Sequence, residues 1–409
     1  VSTPDIVEPG ETYSVPAASP SGAPVVIVVP AAAHGTVAQI VTQAEHAVHV
    51  ARGRHTPVCT VLVDTSAPAD THAREAFLSS PTGCSRHAVA CPRAGWGAAV
   101  ARGFRHALHL QASLVVVDAD KPTGEDAVAG HLPLSTAITM LREQALPGVV
   151  CGPLARPWWQ RQLATHVLRP LLAPGLGLTL VDPDARTLVL SPRAVQIALN
   201  PRWRLDTLPG EQGLTVLAAA RYAGMDLDQG PPRTPSITLD QLSSDVGDLA
   251  DHDRGLGLLE AALATTRLAR AVPANAVPPW TADLVPANVD DHDVLDKALA
   301  FAADARASPP GAAMPRAGDW PGPLIEAWYA ARGLSPNLNA IACRLWDAYT
   351  HRVHAWLRAA VRLDAHPARL RQSVIAANTE FLTATATPIN PVTTLAMENH
   401  EHHRLPQAI

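Results

Sequence analysis

Lysine is almost missing from the sequence: of 32 basic residues only Lys121 and Lys297 are lysines, and the other thirty are arginines. With its many alanines and 38 prolines, that imbalance reads as a high-GC codon bias, which weakens arguments from composition alone. There is no dense run of basic residues and the net charge is -5, which argues against a broad electrostatic grip on nucleic acid or an acidic membrane. No apolar run approaches the about 20 residues that span a bilayer. Val1 to Ser21 is acidic and Pro-rich, with neither a basic n-region nor an apolar h-region, so a secretory leader is not expected. The five cysteines, Cys59, Cys84, Cys91, Cys151 and Cys343, are scattered without a CxxC pair. That distribution indicates neither a zinc site nor a disulfide framework, and it fits a reducing cytoplasm.

What is present is enough apolar material for a large core. Of 409 residues, 47% are hydrophobic and 17% charged, the balance of a soluble globular protein with two domains or one large domain and an appendage. Residues 1–22, with Pro4, Pro9, Pro16 and Pro20, read as a tail or a strap on the surface. From there the pattern alternates. Val25 to Val29 is a β-branched run ending at Pro30, Thr36 to Arg52 has helical spacing, Val58 to Val63 is a second strand, and Ala69 to Leu78 and Ala98 to Leu110 are helices before the apolar strand Leu114 to Val117. Strands separated by helices predict a doubly wound, mainly parallel α/β sheet, here over residues 23–230. Between Leu132 and Ala223 the pattern is mixed, with helices near Trp159 to Leu172 and Gly213 to Ala223 and a strand near Arg186 to Leu190. Pro231, Pro232 and Pro235 mark a boundary, and residues 231–409 read as mainly α-helical. Helices are expected over 245–272, 291–304, 323–332, 337–361 and 366–383. Trp346, Tyr349, Val353, Trp356, Leu357 and Val361 form an apolar stripe that suits packing or a homodimer interface.

Ligands of such sheets bind outside the carboxyl ends of the strands. There the chain places Pro30-Ala31-Ala32-Ala33-His34, Asp64-Thr65-Ser66 and Asp118-Ala119-Asp120. Two carboxylates one residue apart after a buried strand can offer hard oxygen ligands to Mg²⁺ or Mn²⁺ alongside substrate phosphates. An Asp in that place can equally cap the next turn.

The order of these pieces, with Arg93-Ala94-Gly95-Trp96-Gly97-Ala98-Ala99 opening a helix, resembles the nucleotide-sugar glycosyltransferases of the GT-A fold. Within that fold the sequence is similar to glucosyl-3-phosphoglycerate synthases and, more distantly, mannosylglycerate synthases. The residues that carry the likeness are Arg93-x-Gly95-x-Gly97-x-Ala99, Val117-Asp118-x-Asp120, Val167-Leu168-Arg169-Pro170-Leu171-Leu172-Ala173 and Gly210-Glu211-Gln212-Gly213-Leu214, spread over roughly residues 24–228. The resemblance implies a GT-A domain followed by helices. It also implies transfer of a hexose, with retention, from a nucleoside-diphosphate sugar to a small anionic acceptor of the glycerate or phosphoglycerate kind. Pro30, Ala31, His34, Asp64, Gly95, Gly97, Asp118 and Ala119 then contact the nucleotide sugar, and Asp120 with Asp118 holds the metal. Arg161 or Arg156 holds the acid group of the acceptor, a task suited to the bidentate geometry of arginine. Glu211 or Asp206 supplies the acidic residue on the acceptor side.

The chain departs from the family at three places. Trp96 stands where the family has Lys between two glycines, Asp64 is followed by Thr65-Ser66-Ala67 instead of a second acidic residue, and no His lies between Asp226 and Asp245 to act as a third metal ligand. These departures motivate an alternative, a catalytically degenerate GT-A protein that binds a nucleotide or a protein partner. A nucleotidyltransferase is a poorer match, since Pro30-Ala31-Ala32-Ala33-His34-Gly35 is not a basic Gly-rich phosphate loop. Glu398-Asn399-His400-Glu401-His402-His403 can be read as a metal site or a solvated tail, and His46, His49, His106 and His109 as solvent-facing or satisfied core residues.

Overall fold

The computed structural model describes residues 12–15, 22–31, 37–67, 71–79, 84–91, 95–118, 127–152, 162–176, 187–203, 213–230, 252–268, 319–362 and 367–386, with Leu180 and Pro183. The strands are β1 (Thr12–Val15), β2 (Val25–Ala31), β3 (Val58–Asp64), β4 (Ser85–Ala90), β5 (Leu114–Val117), β6 (Val149–Gly152), β7 (Thr187–Leu190) and β8 (Leu227–Gln229). They form one sheet in the order β1-β4-β3-β2-β5-β7-β6-β8. β4, β3, β2 and β5 are successively parallel and β6 is parallel to β8, while β1 and β7 run against their neighbours. The mainly parallel α/β sheet expected from the alternating pattern is therefore present. β2, β3, β5 and β7 have both faces covered, which explains why their sequences are apolar apart from the hydrogen-bonded Thr60, Asp64 and Thr187.

Helices α1 (Val37–Arg52), α2 (His72–Ser79) and α4 (Ala127–Glu143) cover one face. Ile40, Val41, Ala44, Ala47 and Val48 of α1 are buried at helical spacing against Val25, Ile27 and Val29. The other face carries α3 (Trp96–His109), α5 (Arg169–Leu176), α6 (Pro192–Ala198) and α7 (Gly213–Tyr222), joined to Val26 and Val28 in one core. The Ser191 hydroxyl caps α6 by accepting from the Ala194 N–H at 3.1 Å, with Pro192 at the first helical position. A π-helical segment, Ala164–Leu168, leads into α5. α3 lies very close to β2, because a Cβ on Gly103 would stand 2.3 Å from Cγ1 of Val28.

The C-terminal region is helical where it is described: α8 (His252–Leu268), α9 (Gly322–Ala331), α10 (Leu338–Arg362) and α11 (Pro367–Ala386). α8 packs on α5 and α7, and α9, α10 and α11 build outward from it. These helices share the core of the second sheet face. Trp346, Tyr349, Val353 and Trp356 are all at most 5% exposed, so these four residues of the stripe read as a packing or dimer surface are covered by the same chain. Gly255 of α8 permits this contact, since a Cβ there would come within 2.0 Å of the Trp346 ring.

The structure adds elements that the sequence pattern did not mark. Within the N-terminal segment read as a tail, Thr12–Val15 pairs antiparallel with β4. Ser85–Ala90 is a parallel strand between the second and third strands of the sequence reading, so the strand before Asp118 is the fourth of the parallel set. Its sequence opens with three polar residues, Ser85, Arg86 and His87, and only Arg86, Ala88 and Val89 are fully enclosed, so no apolar run marks it. The expected helix over 291–304 lies outside the described residues.

Candidate active site

From β2 the chain proceeds outward through β3 to β4 and then returns to the other side of β2 with β5. The strand order thus reverses between β2 and β5, and in open α/β sheets the crevice at that reversal, beyond the carboxyl ends, is where ligands sit. Pro30 and Ala31 end β2, with Ala31 paired to Asp64 at the end of β3. Asp118 follows β5, and its N–H donates to the Val28 carbonyl at 3.1 Å, so the β2–β5 ladder continues into it. Neighbouring strands are about 4.8 Å apart, so the ends of β3 and β5 are separated laterally by about 10 Å.

Each carboxylate is held by a named donor. Asp64 is 5% exposed, and its Oδ1 accepts the Ser66 N–H at 3.0 Å in a local turn. Asp118 is fully buried, and its Oδ1 accepts the Thr187 hydroxyl at 3.1 Å. Thr187 opens β7, and the β5–β7 register, Val117 opposite Leu188, makes Thr187 the next residue across from Asp118. The Cys91 N–H donates to the Asp64 carbonyl at 2.8 Å, which ties the start of the turn toward α3 to the same edge. α3 opens with Gly95 at its N-cap and Trp96 and Gly97 in the first turn. First-turn amides have no partners within a helix, and their dipoles favour an anion.

Other buried polar groups are structural. The Thr60 hydroxyl donates to Glu45 Oε1 at 2.9 Å, Arg86 Nη2 lies 3.9 Å from the same oxygen, and Arg86 also donates to the Phe77 carbonyl. Burial pushes the Cys59 and Cys84 thiols up to about 12, with the Glu45 carboxylate adding to both, so neither is a ready nucleophile. The His87 and His106 rings meet at a tilt of 59° with centroids 5.0 Å apart, and the His106 and His109 centroids are 6.4 Å apart. Burial, then the neighbouring His87, His109 and Arg102 charges, lowers His106 to about 4. His166, in the π-helical segment, is held well below its ordinary value by burial and then by Arg352.

Of the candidate site residues, the structure therefore brings Pro30, Ala31, Asp64 and Asp118 to one edge of the sheet and puts Gly95 and Gly97 at the start of α3. His34, Ala119, Asp120, Arg156, Arg161, Asp206 and Glu211 lie outside the described residues, as does the His-rich segment at 398–403. Among the described residues no group of three His, Cys, Asp or Glu side chains can hold a metal ion. A carboxylate such as Asp118 is nevertheless a hard oxygen donor that suits Mg²⁺ or Mn²⁺ when phosphate oxygens and further ligands complete the shell. Thr187 is the site residue that the sequence did not announce.

No family model matches the chain, and no curated protein matches it. Among solved structures, a mannosyltransferase from Pyrobaculum calidifontis in complex with GDP-Man and Mn²⁺ is 15% identical, with a TM-score of 0.40 over 83% of this chain and 90% of its own. Glucosyl-3-phosphoglycerate synthase from Mycobacterium tuberculosis, in its complex with uridine diphosphate, is 18% identical, with a TM-score of 0.36 over 59% of this chain and 80% of its own. The same synthase with phosphoglyceric acid is 16% identical, with the same TM-score and coverage. All three are glycosyltransferases. At such identities and scores the functional reading rests on the residues of this chain. No helix among the described residues is long and apolar enough to cross a membrane.

Proposed function

We propose that the protein is a glycosyltransferase that moves a hexose from a nucleoside-diphosphate sugar to a small anionic acceptor of the glycerate or phosphoglycerate kind, with retention of configuration. The observation that carries this reading is the buried, hydrogen-bonded Asp118 at the reversal of strand order, flanked by the end of β2 and the start of β7, with Asp64 beyond β2 on the same edge. Such a crevice takes a nucleotide, and a carboxylate at its lip takes the cation that accompanies a diphosphate. The sequence resemblance to GT-A enzymes supplies the sugar and the acceptor class. We place the protein in the reducing cytoplasm, in keeping with five cysteines that form no disulfide.

In this mechanism Asp64, oriented by the Ser66 amide, receives the ribose hydroxyls, and Pro30, Ala31 and His34 border the base. Asp118 and Asp120 hold Mg²⁺ or Mn²⁺, which when bound neutralises the charge that grows on the departing diphosphate. The first turn of α3, Gly95 to Gly97, offers backbone amides to phosphate oxygens. Arg161 or Arg156 fixes the acid group of the acceptor, and Glu211 or Asp206 orients its hydroxyl for attack on the face that the diphosphate leaves. A second reading, binding without transfer, is favoured by Trp96, which opens α3 and brings no cation to the phosphates.

The test is calorimetric titration of nucleoside diphosphates and their hexose conjugates, GDP-mannose and UDP included, with and without Mn²⁺, followed by transfer assays on phosphoglyceric acid. Metal-linked binding that Asp120→Ala abolishes, together with sugar transfer, supports the enzyme. Metal-linked binding without transfer to any small acid supports the binding protein. Absence of nucleotide binding across the panel refutes both.

A further inference from the structure

Thr187 and Gly152 sit beside the carboxylate that the proposed mechanism depends on, yet neither belongs to a motif. Thr187 is fully buried and donates its hydroxyl to Asp118 Oδ1 at 3.1 Å. On its other side it pairs with Gly152, the last residue of β6. A Cβ on Gly152 would stand 3.0 Å from Cγ2 and 3.1 Å from Cβ of Thr187. That spacing is tighter than ordinary carbon–carbon contact, so a side chain at 152 would press on the threonine methyl group. Thr187 is β-branched and has few rotamers to choose from, so its methyl cannot move aside without turning the hydroxyl as well. The three residues therefore form a cross-strand set over β6, β7 and β5, in which the missing side chain at 152 admits the threonine methyl and the hydroxyl is aimed at Asp118.

We propose that Thr187 is the positioning residue for Asp118, and that Gly152 is the glycine that lets Thr187 adopt the orientation in which it donates. This rests on the reading of Asp118 as a ligand of the donor's metal and diphosphate. A carboxylate accepts at about four sites, so a single hydroxyl bond orients it without exhausting it. Partners that orient a ligating side chain change metal affinity by about 10- to 100-fold when removed. In this role Thr187 acts on the ion through Asp118, to which its hydroxyl donates.

The experiment uses the full chain and measures the affinity of UDP and GDP with and without Mn²⁺, alongside the unfolding temperature. Thr187→Val keeps the shape of the side chain and removes the donor. It is expected to weaken the Mn²⁺-dependent part of nucleotide binding about 10-fold or more, and to leave metal-free nucleotide binding unchanged. Thr187→Ser retains the hydroxyl and is expected to recover most of the loss. Gly152→Ala is expected to act in the same direction as Thr187→Val although it deletes no polar group. Wild-type metal linkage in Thr187→Val, with linkage lost in Asp118→Asn, overturns the positioning role and leaves the assignment of Asp118 standing. Wild-type linkage in Asp118→Asn overturns both this inference and the placement of the site. If Thr187→Ser unfolds or binds no better than Thr187→Val, the residue acts through packing and the inference fails.

Discussion

At the amino edge of the sheet, the Val25 N–H donates to the Pro57 carbonyl at 2.9 Å, Ser113 to Pro24 at 2.7 Å, and Ser191 to Gly148 at 3.0 Å. Side chains join in: Asp226 Oδ2 accepts the Leu146 N–H at 2.8 Å, and Gln144 accepts from the Gly148 N–H and donates to Asp228 Oδ2, both at 2.8 Å. At the carboxyl edge Asp64 is held by Ser66 and Asp118 by Thr187. Most of the first set join the starts of strands that are far apart in sequence: Ser113 and Pro24 are separated by 89 positions and Leu146 and Asp226 by 80. The second set holds the carboxylates at the ends of β3 and β5, through a local turn for Asp64 and across to β7, 69 positions away, for Asp118. The contrast teaches where to look for stability and where to look for chemistry: bonds at one end tie strand starts to one another, and bonds at the other end orient Asp64 and Asp118 at the edge where ligands of such sheets bind.

Substitutions at the two edges should separate these roles. The largest effect is expected from Asp118→Asn, which keeps the shape and the threonine contact but removes the charge. Sugar transfer should fall by about 100-fold or more, with a cooperative unfolding transition retained in the calorimeter. At the opposite edge Gly148→Ala places a Cβ 2.3 Å from the Asp226 carbonyl oxygen and 2.8 Å from Cβ of Met225. That overpacking against backbone should cost about 3 kcal/mol in denaturant unfolding, while nucleotide affinity of the folded fraction stays at the wild-type value. Gln144→Ala removes bonds to Gly148 and Asp228 without a clash and should cost about 1 to 2 kcal/mol, again without an effect on binding.

The smallest effect is a pH slope. His106 has a folded value of about 4 against 6.5 for the free imidazole, chiefly through burial. Between those values the unfolded chain binds the extra proton, so the contribution of His106 is complete above about pH 6.5 and is lost as pH falls toward 4. His87 is lowered in the same direction by burial, so both act together. Unfolding curves measured between pH 7 and about pH 4 should show this loss, and His106→Gln should flatten it. An unchanged slope in that variant would assign the acid sensitivity to other groups.

The parts of this fold that were legible in the sequence are those whose burial is complete. β2 and β5 are enclosed on both faces and read as unbroken apolar runs, β3 reads as one with only Thr60 inside it, and α1, α3 and α7 follow their helical spacing to within about two residues of the observed bounds. β4 escaped because Ser85, Arg86 and His87 interrupt it: Arg86 is buried only because Glu45 and the Phe77 carbonyl receive it, and neither contact is local. α4 carries Pro133 inside it, which reads as a break. Asp64 and Asp118 stood out because each follows a buried strand directly. Thr187 was not legible. It is an ordinary strand residue in sequence, and its role depends on β7 lying beside β5, a neighbour relation that only the assembled sheet supplies.

β7 has one more implication. Because it runs against the strands beside it, its first residue arrives at the edge where they finish. The rim of the crevice is therefore made both of loops, which can lengthen or shorten freely, and of a strand's opening residue, which is registered against neighbours on either hand. Variation at that residue alters the behaviour of the adjoining acid without insertion, deletion or movement of the main chain. On the proposed function, a change at 187 would adjust the hold of Asp118 on the ion without any change in chain length.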